Sequence, residues 1–226
     1  MASLHCGYRA NCPGDFMLRI YNFARGARGL RIMWQCEEMA LPYTLEVLSY
    51  PVGEAYRARH PLGTVPFLED DASGVAMSES VAILLYLAQR HGPTPLLPRT
   101  DDPQLPLVLE MTEFGEAALG AALNPLIATR FSAPEAEKRN WSVSFLEARV
   151  EAAVTHVERK LANAPFLAGG ALTLADISVV PALLMWRGIF ARTLTQPLAA
   201  YVERATSRPA YGRARARCDG QAAPRP

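Results

Sequence analysis

A proline-rich stretch at residues 93–106 separates two parts of the chain that differ in their hydrophobic pattern. Before it, short apolar runs of strand length alternate with segments of helical spacing. After it, every long segment has helical spacing. A chain of 226 residues, 50% of them hydrophobic, is long enough for two modest domains. We therefore predict a small α/β domain at residues 17–93, a linker at 94–106 and an all-helical domain at 107–211.

The first part has the pattern of a strand–helix–strand unit followed by a hairpin and a second helix. Two strands that are joined through one helix are expected to be parallel, because such a connection is too long for a hairpin. The predicted elements are a strand at Leu18–Tyr21, a helix at Leu30–Met39, a strand at Tyr43–Leu48, a hairpin across the Asp70–Gly74 turn, and a helix from Ser78 or Glu79 to the region of Arg90.

The second part is expected to contain only helices. They are predicted at Leu107–Phe131, Glu135–Asn163, Thr173–Phe190 and Pro197–Thr206. Pro125 should kink or break the first of these helices, because proline removes a backbone donor. Thr173 followed by Asp176 is a variant of the capping box, which we assign to the folding of its helix and not to a functional site.

Charge and cysteine content argue against several classes of function. The chain has 23 basic and 22 acidic side chains, without the clustered basic excess of a nucleic-acid-binding surface. No apolar run approaches the roughly 20 residues that span a bilayer, and residues 1–16 lack the apolar core of a secretory signal. The four cysteines have neither metal-site spacing nor a disulfide framework. We expect a soluble, cytoplasmic protein without a metal, with no nucleic-acid or membrane partner, a polar leader at 1–16 and a disordered basic tail at 212–226.

Three short segments carry a resemblance to a known family. They are His60–Leu68, Glu79–Ile83 and Phe166–Ile177, which read HPLGTVPFL, ESVAI and FLAGGALTLADI. In this order and spacing they resemble the cytosolic glutathione transferase family of bacterial type, from about Met17 to Tyr211. The resemblance implies a thioredoxin-like, glutathione-binding domain followed by an all-helical domain, and a homodimer. It also implies detoxification chemistry, in which glutathione is the co-substrate and a hydrophobic electrophile is the acceptor.

The resemblance implies that glutathione binds at two of these segments. The Val65-Pro66 bond is expected to be cis, so that the backbone of Val65 pairs with the peptide ligand like an added strand. Glu79 and Ser80 lie at a predicted helix start, where free N–H groups and the helix dipole favour an anion. There Ser80 would donate to the γ-glutamyl carboxylate, while Glu79 would pair with the ammonium group. Arg57, Arg59 or His60 could meet the glycine carboxylate.

The group that activates the glutathione thiol is left open between two candidates. In the resembling proteins a Tyr, Ser or Cys near the end of the first strand supplies the donor, but here Ala24, Gly26 or Ala27 stands at the usual serine or cysteine position. Tyr21 ends the predicted strand, and its phenol is the first candidate. The second is Arg25 or Arg28 together with the N–H groups of the following helix start.

The acceptor pocket is predicted to contain Phe23, Trp186 and Arg187, together with the helix from Leu107. The main functional prediction is conjugation of glutathione to apolar electrophiles. Two alternatives use the same pocket: a glutathione-dependent isomerase or reductase, and a non-catalytic glutathione-binding or assembly module. The missing turn serine or cysteine favours the last of these.

Overall fold

The computed structural model describes residues 18–220, and their N-terminal part forms a four-stranded sheet. The strands are β1 (Leu18–Phe23), β2 (Tyr43–Leu48), β3 (Phe67–Asp70) and β4 (Val75–Ser78). Their order in the sheet is β2–β1–β3–β4. β1 and β2 are parallel, whereas β3 is antiparallel to both β1 and β4. The predicted parallel pair and the predicted hairpin are therefore both confirmed.

Three helices cover the two faces of this sheet: α1 (Ala27–Glu38), α2 (Glu54–Arg59) and α3 (Ser80–Arg90). Successive side chains of β1 point to opposite faces. Leu18 and Ile20 are fully buried in the main core with α1 and α3. Tyr21 points the other way, into a second apolar cluster with Tyr56 of α2. The six-residue α2 lies in the connection between β2 and β3, where no helix was predicted.

The C-terminal part is helical, as predicted. Its helices are α4 (Leu105–Phe114), α5 (Ala121–Ser132), α6 (Trp141–Lys160), α7 (Leu174–Ile189), α8 (Gln196–Thr206) and α9 (Pro209–Gly220). α7 is buried along most of its length and packs against both α4 and α1, so it joins the two parts of the molecule. Asp176, in the first turn of α7, accepts a hydrogen bond from the Thr173 N–H at 2.8 Å. This is the carboxylate half of the predicted capping box.

The long helix predicted at Leu107–Phe131 is interrupted by a π-helical turn, Gly115–Gly120, between α4 and α5. The interruption comes ten residues before Pro125, which lies within α5. Its cause is a side chain of α7, because Ser178 donates to the Thr112 carbonyl at 2.7 Å. A side chain that enters the backbone hydrogen-bond ladder widens a helix locally. Gly115 permits this close approach, since a Cβ there would lie 2.3 Å from the Ser178 hydroxyl oxygen.

The prediction of a disordered tail from residue 212 is wrong over 212–220, where α9 continues to Gly220. Ala214 and Cys218 are buried against the rest of the protein, and the helix packs along α1. Arg208 makes two hydrogen bonds to Glu38, at 2.6 and 2.7 Å, and Arg213 bonds Glu37 at 2.7 Å. The composition of the tail suggested a solvated basic segment, but Arg213 and Arg217, one helical turn apart, both pair with Glu37 of α1. The predicted leader and residues 221–226 lie outside the described residues, and the boundaries of the two domains stay predictions.

Within residues 18–220, none of the helices is both long enough and apolar enough to cross a membrane.

Candidate functional site

The turn between β1 and α1 has a defined geometry. The Gly26 N–H donates to the Phe23 carbonyl at 2.9 Å, and Arg25 between them has a φ of 61°. A positive φ at this third position is what a type II turn requires, and glycine or asparagine usually supplies it. Gly26 then caps α1, whose first helical bond runs from Leu30 to the Gly26 carbonyl at 3.1 Å. No acidic side chain lies in the first turn of α1, so its N–H groups and dipole are available to an anion.

Tyr21 is not free to act on a thiol at this turn. Its hydroxyl donates to Glu69 Oε2 at 2.8 Å, and its ring packs against Tyr56 and Phe67. Burial, and then donation to the Glu69 carboxylate, raise the pKa of the phenol above its usual value. These contacts are those of a tyrosine in the core. Tyr21 as thiol activator stays an untested prediction that this geometry does not support.

Arg28 and Arg31 of α1 form a charged network with the helical domain. Both guanidinium groups bind Glu116, in the π-helical turn, and the Arg31–Glu116 distance is 2.6 Å. Arg31 is almost fully buried and also donates to the Gly115 carbonyl at 2.9 Å. Burial lowers the pKa of Arg31, while the Glu116 charge opposes that shift. These contacts make Arg31 part of a buried ion pair between α1 and the helical part of the chain.

Glu116 is a site residue that the sequence analysis did not select. Burial alone would raise the pKa of its carboxyl, but the two arginines hold that pKa below its usual value. The residue folds back over Gly120, where a Cβ would lie about 3.0 Å from the carboxylate. The sequence feature that could have identified Glu116 is its position between two glycines, Gly115 and Gly120, in an otherwise apolar segment.

Arg25 points away from Arg28, toward the C-terminal helix. Its Nε lies 3.9 Å from Asp219 Oδ1, and nearly half of its side chain is exposed. The structure therefore separates the two arginines that were predicted together. Arg28 faces Glu116 of the π-helical turn, whereas Arg25 faces α9.

Ser80 connects the arginine network to the predicted glutathione segments. It is the first residue of α3, it is buried, and its hydroxyl oxygen accepts from Arg31 Nη1 at 3.0 Å. Because Arg31 only donates, the Ser80 proton stays available for an anionic ligand. Arg31, the fifth residue of α1, thus joins that helix to the first residue of α3.

Glu79 and Pro66 meet at the end of the β3–β4 hairpin. Phe67 pairs with Ser78, so the next residues outward are Pro66 on one side and Glu79 on the other. The Val65-Pro66 bond is cis, as the resemblance implied. Glu79 is exposed and has a φ of 70°, which a residue other than glycine adopts at a cost of about 1–2 kcal/mol. Strained backbone of this kind clusters at ligand sites, although a helix start can also contain it.

His60 is engaged within the protein. Its Nε2 lies 2.9 Å from the Thr64 hydroxyl, and its ring stacks on Phe67 at 5.0 Å between centroids. The side chain is 7% exposed, so it supports the segment before Val65 more directly than it presents a group to a ligand.

The three residues predicted for the acceptor pocket are not brought together. Phe23 packs on the second apolar cluster and contacts Tyr50, whereas Trp186 belongs to the main core. Trp186 lines a cavity of about 360 Å³ with α6 and residues 192–198, and Arg192 covers its ring at 4.9 Å. Arg187 is exposed. One pocket containing both Phe23 and Trp186 is therefore not supported. Over residues 18–220, no group of His, Cys, Asp and Glu side chains is placed to hold a metal ion.

Both parts of the chain match models of one known family. Residues 21–95 match the model of the glutathione S-transferase N-terminal domain, and residues 116–216 match that of the C-terminal domain. Glutathione S-transferase 3 of Schizosaccharomyces pombe is 33% identical over 103 residues, which cover 44% of this chain and 42% of that protein. The match thus spans less than half the length of this curated relative.

Solved structures share the fold over most of the chain. A glutathione transferase from Methylococcus capsulatus has a TM-score of 0.77 and 24% identity, covering 91% of this chain and all of that one. A theta class glutathione S-transferase from Xanthomonas axonopodis pv. citri, with glutathione bound, has a TM-score of 0.74 and 26% identity. That match covers 87% of this chain and 96% of the other. With both of its domain models matched in order, the chain belongs to the glutathione S-transferase family.

Proposed function

We propose that this protein is a glutathione transferase that conjugates the glutathione thiolate to electrophilic, largely apolar small molecules. The observation that carries the proposal is the Arg31–Ser80 hydrogen bond of 3.0 Å, which joins the first half of α1 to the first residue of α3. Helix starts favour anions, and glutathione brings a γ-glutamyl carboxylate and a thiolate to the same cleft. The thiolate sulfur bonds to the electrophilic carbon. Either a leaving anion departs or a proton adds to the neighbouring atom.

The γ-glutamyl end of glutathione fits the start of α3. The Ser80 hydroxyl accepts a hydrogen bond from Arg31 and donates one to the carboxylate. The α3 dipole adds to the attraction. The exposed Glu79 carboxylate pairs with the ammonium group on the same carbon. The backbone of Val65 pairs with the peptide part of the ligand as an added strand. His60 supports this segment through Thr64 and Phe67.

The sulfur end of glutathione fits the start of α1. A free thiol has a pKa of about 8.5, and lowering it by about two units takes roughly 3 kcal/mol of preferential thiolate stabilisation. A helix N-terminus contributes about 0.3–2 kcal/mol, and a hydrogen bond to an ionised group about 1.5–3 kcal/mol. The first turn of α1 together with Arg28 is therefore sufficient without a Tyr, Ser or Cys. We propose Arg28, and not Tyr21 or Arg25, as the side chain beside the sulfur. Its Nε and Nη2 bind Glu116, so the thiolate would accept from Nη1.

A binding and titration experiment tests the proposal. Glutathione is added to the protein, and the ultraviolet absorbance of its thiolate is followed from pH 5 to pH 10. We expect the thiol pKa to fall by about two units on binding, and conjugates to form with an activated aryl halide. Ser80→Ala should weaken glutathione binding by about tenfold, since it removes a hydrogen bond to a charged group. Ser144→Ala, on the exposed side of α6, is the matched control and should bind like the wild type.

The same experiment separates the alternatives. Products from a panel of aryl halides, haloacids and disulfides distinguish conjugation from isomerase or reductase chemistry. Retention on immobilised glutathione with an unchanged thiol pKa would instead identify a non-catalytic binding module. A protein that does not bind glutathione would contradict all three functions.

We further propose a homodimer that acts in the cytoplasm, on the basis of the family. Tyr50, on the connection after β2, is 86% exposed, and Leu62 is 71% exposed, so two large apolar side chains near the cleft lack cover within one chain. Sedimentation velocity over a range of protein concentrations tests the dimer. A single monomeric species at micromolar concentration would contradict it.

A further inference from the structure

We propose that Asn22 is a positioning residue for thiolate stabilisation, because it fixes the first turn of α1 from beneath. This inference rests on the proposed function, which places the glutathione sulfur at that turn. Asn22 is the fifth residue of β1, and it is 1% exposed. It is a buried amide in a strand whose other core-facing residues, Leu18 and Ile20, are apolar.

The Asn22 side chain reaches directly into the turn. Its Nδ2 donates to the Gly26 carbonyl at 3.0 Å, and the same carbonyl accepts the first helical bond from the Leu30 N–H at 3.1 Å. Asn22 therefore holds the residue that caps α1, and with it the direction of the first N–H groups. Without this bond, Gly26 is held by its own N–H to Phe23 and by Leu30.

Two glycines make room for this amide. A Cβ at Gly29 would lie 2.1 Å from Asn22 Cγ, and a Cβ at Gly26 would lie 2.7 Å from Asn22 Oδ1. At these distances the Asn22 amide would have to move, so its present contact with the first turn of α1 requires that positions 26 and 29 carry no side chain. The spacing of three places both glycines on the same side of the helix. The two glycines and the asparagine thus form one arrangement, which a purely apolar strand residue would not need.

Within the described residues, the arrangement leaves the single amide oxygen of the Asn22 side chain, Oδ1, buried without a hydrogen-bond partner. An unpaired buried acceptor costs about 1–3 kcal/mol, so Asn22 lowers the stability of the fold by about that amount relative to a fully paired amide. That cost is understandable if the position of the α1 start matters more than the stability of the strand, since strain and unsatisfied groups concentrate at functional sites.

Gln35 offers a matched comparison within the same helix. It is fully buried, its Nε2 donates to the Leu84 carbonyl at 2.9 Å, and its Oε1 is also unpartnered within the described residues. It lies about two turns further along α1. The two amides thus have the same chemistry and the same burial, but only Asn22 touches the end of the helix that faces the sulfur.

The test compares Asn22→Ala with Gln35→Ala in the full chain. Urea unfolding and the thiol pKa of bound glutathione are measured for both variants. Each variant should unfold at a lower urea concentration than the wild type, since each loses a buried hydrogen bond. Only Asn22→Ala should raise the thiol pKa, by about one unit, as the α1 dipole loses its alignment. The midpoint of the rise of kcat/KM with pH should move to higher pH by the same amount.

Asn22→Asp is the second variant, because it keeps the shape of the side chain. A carboxylate beneath the first turn competes with the thiolate for the same helix start, so it should raise the thiol pKa further than alanine does. If both Asn22 variants bind glutathione with the thiol pKa of the wild type, or if Gln35→Ala raises that pKa equally, Asn22 is only structural. A wild-type protein that does not lower the thiol pKa at all would contradict the proposed function instead.

Discussion

At the scale of single residues, Tyr21 shows how a plausible catalytic group can be committed elsewhere. Its hydroxyl donates to Glu69, which also binds Arg19 at 3.0 Å and Arg59 at 2.9 Å. Burial disfavours the Glu69 carboxylate, but the hydrogen bonds from Tyr21 and the two arginines lower its pKa overall. The phenol therefore completes the hydrogen bonding of a carboxylate on the side of the sheet that faces α2.

Tyr21→Phe is expected to keep its transferase activity. The change removes one hydrogen bond to a carboxylate that retains two arginines, so stability should fall by about 1 kcal/mol. Values of kcat/KM with an aryl halide and urea unfolding curves check both statements. A loss of activity of tenfold or more, at unchanged glutathione affinity, would return Tyr21 to the role of thiol activator.

Arg28→Ala is expected to lower kcat/KM by about tenfold or more, because one charged donor beside the sulfur is lost. The loss should be largest near neutral pH and should diminish above the pKa of the free thiol, where the thiolate forms without help. A pH profile of kcat/KM measures this dependence.

Arg25→Gly is the matched control, since Arg25 has a φ of 61° that glycine adopts without cost and its guanidinium faces Asp219. Its activity should be close to that of the wild type. Equal losses in the Arg25 and Arg28 variants would indicate that the turn as a whole, and not Arg28, stabilises the thiolate.

At the scale of elements, the sequence predicts those helices and strands whose signals are local. The strands around α1, the β3–β4 hairpin and the start of α7 follow from periodicity, turn residues and the Thr173–Asp176 pair. The π-helical turn could not be predicted, because it depends on Ser178, 66 residues from its partner Thr112. α9 was missed for a related reason. Arg213 and Arg217 suggest a solvated tail until Glu37 of α1 is placed opposite them.

The packing of α9 should control the reactivity of Cys218. This thiol is 1% exposed, and burial raises its pKa, so it should resist labelling by a thiol reagent at neutral pH. Replacing Arg208, Arg213 and Arg217 by alanine removes the ion pairs that hold the helix on α1. Labelling of Cys218, followed by peptide mass mapping, should then become at least several times faster.

Arg99→Ala is the control for that experiment, because Arg99 makes only an exposed pair with Asp101. It should leave the labelling rate of Cys218 unchanged. If the triple variant also labels at the wild-type rate, apolar contacts such as those of Ala214 hold α9 without the arginines.

At the scale of the whole molecule, the site is divided between the two domains. The cis Val65-Pro66 bond and the position of Ser80 at a helix start could be anticipated from their segments. The pairing of Arg28 and Arg31 with Glu116 could not, because it joins residues 85 to 88 positions apart across the domain boundary. The role of Asn22 could not be predicted either, since it depends on the contacts of its side chain with Gly26 and Gly29 in the folded protein.

Glu116→Gln should weaken the contacts that hold the two domains together. The nearly fully buried Arg31 would keep its bonds to Ser80 and the Gly115 carbonyl but lose its counter-charge. Breaking a buried ion pair from one side costs about 3–5 kcal/mol, so the midpoint of urea unfolding should fall clearly. Trp34 and Trp186, one buried in each domain, report unfolding by fluorescence. Glu113→Gln, one turn away and exposed, should unfold like the wild type.

The pH dependence of this difference identifies its origin. The pKa of Glu116 is lower in the folded protein than in the unfolded chain, because the two arginines outweigh burial. Its contribution to stability is therefore complete above the unfolded value of about 4.3 and is lost as the pH falls toward the folded value. The difference between wild type and Glu116→Gln should be constant from pH 5.5 to pH 8, on the order of a few kcal/mol, and should shrink below about pH 4.3. A difference that stays constant through that acidic range would mean that Glu116 acts through its shape and hydrogen bonding, and that its charge does not join the domains.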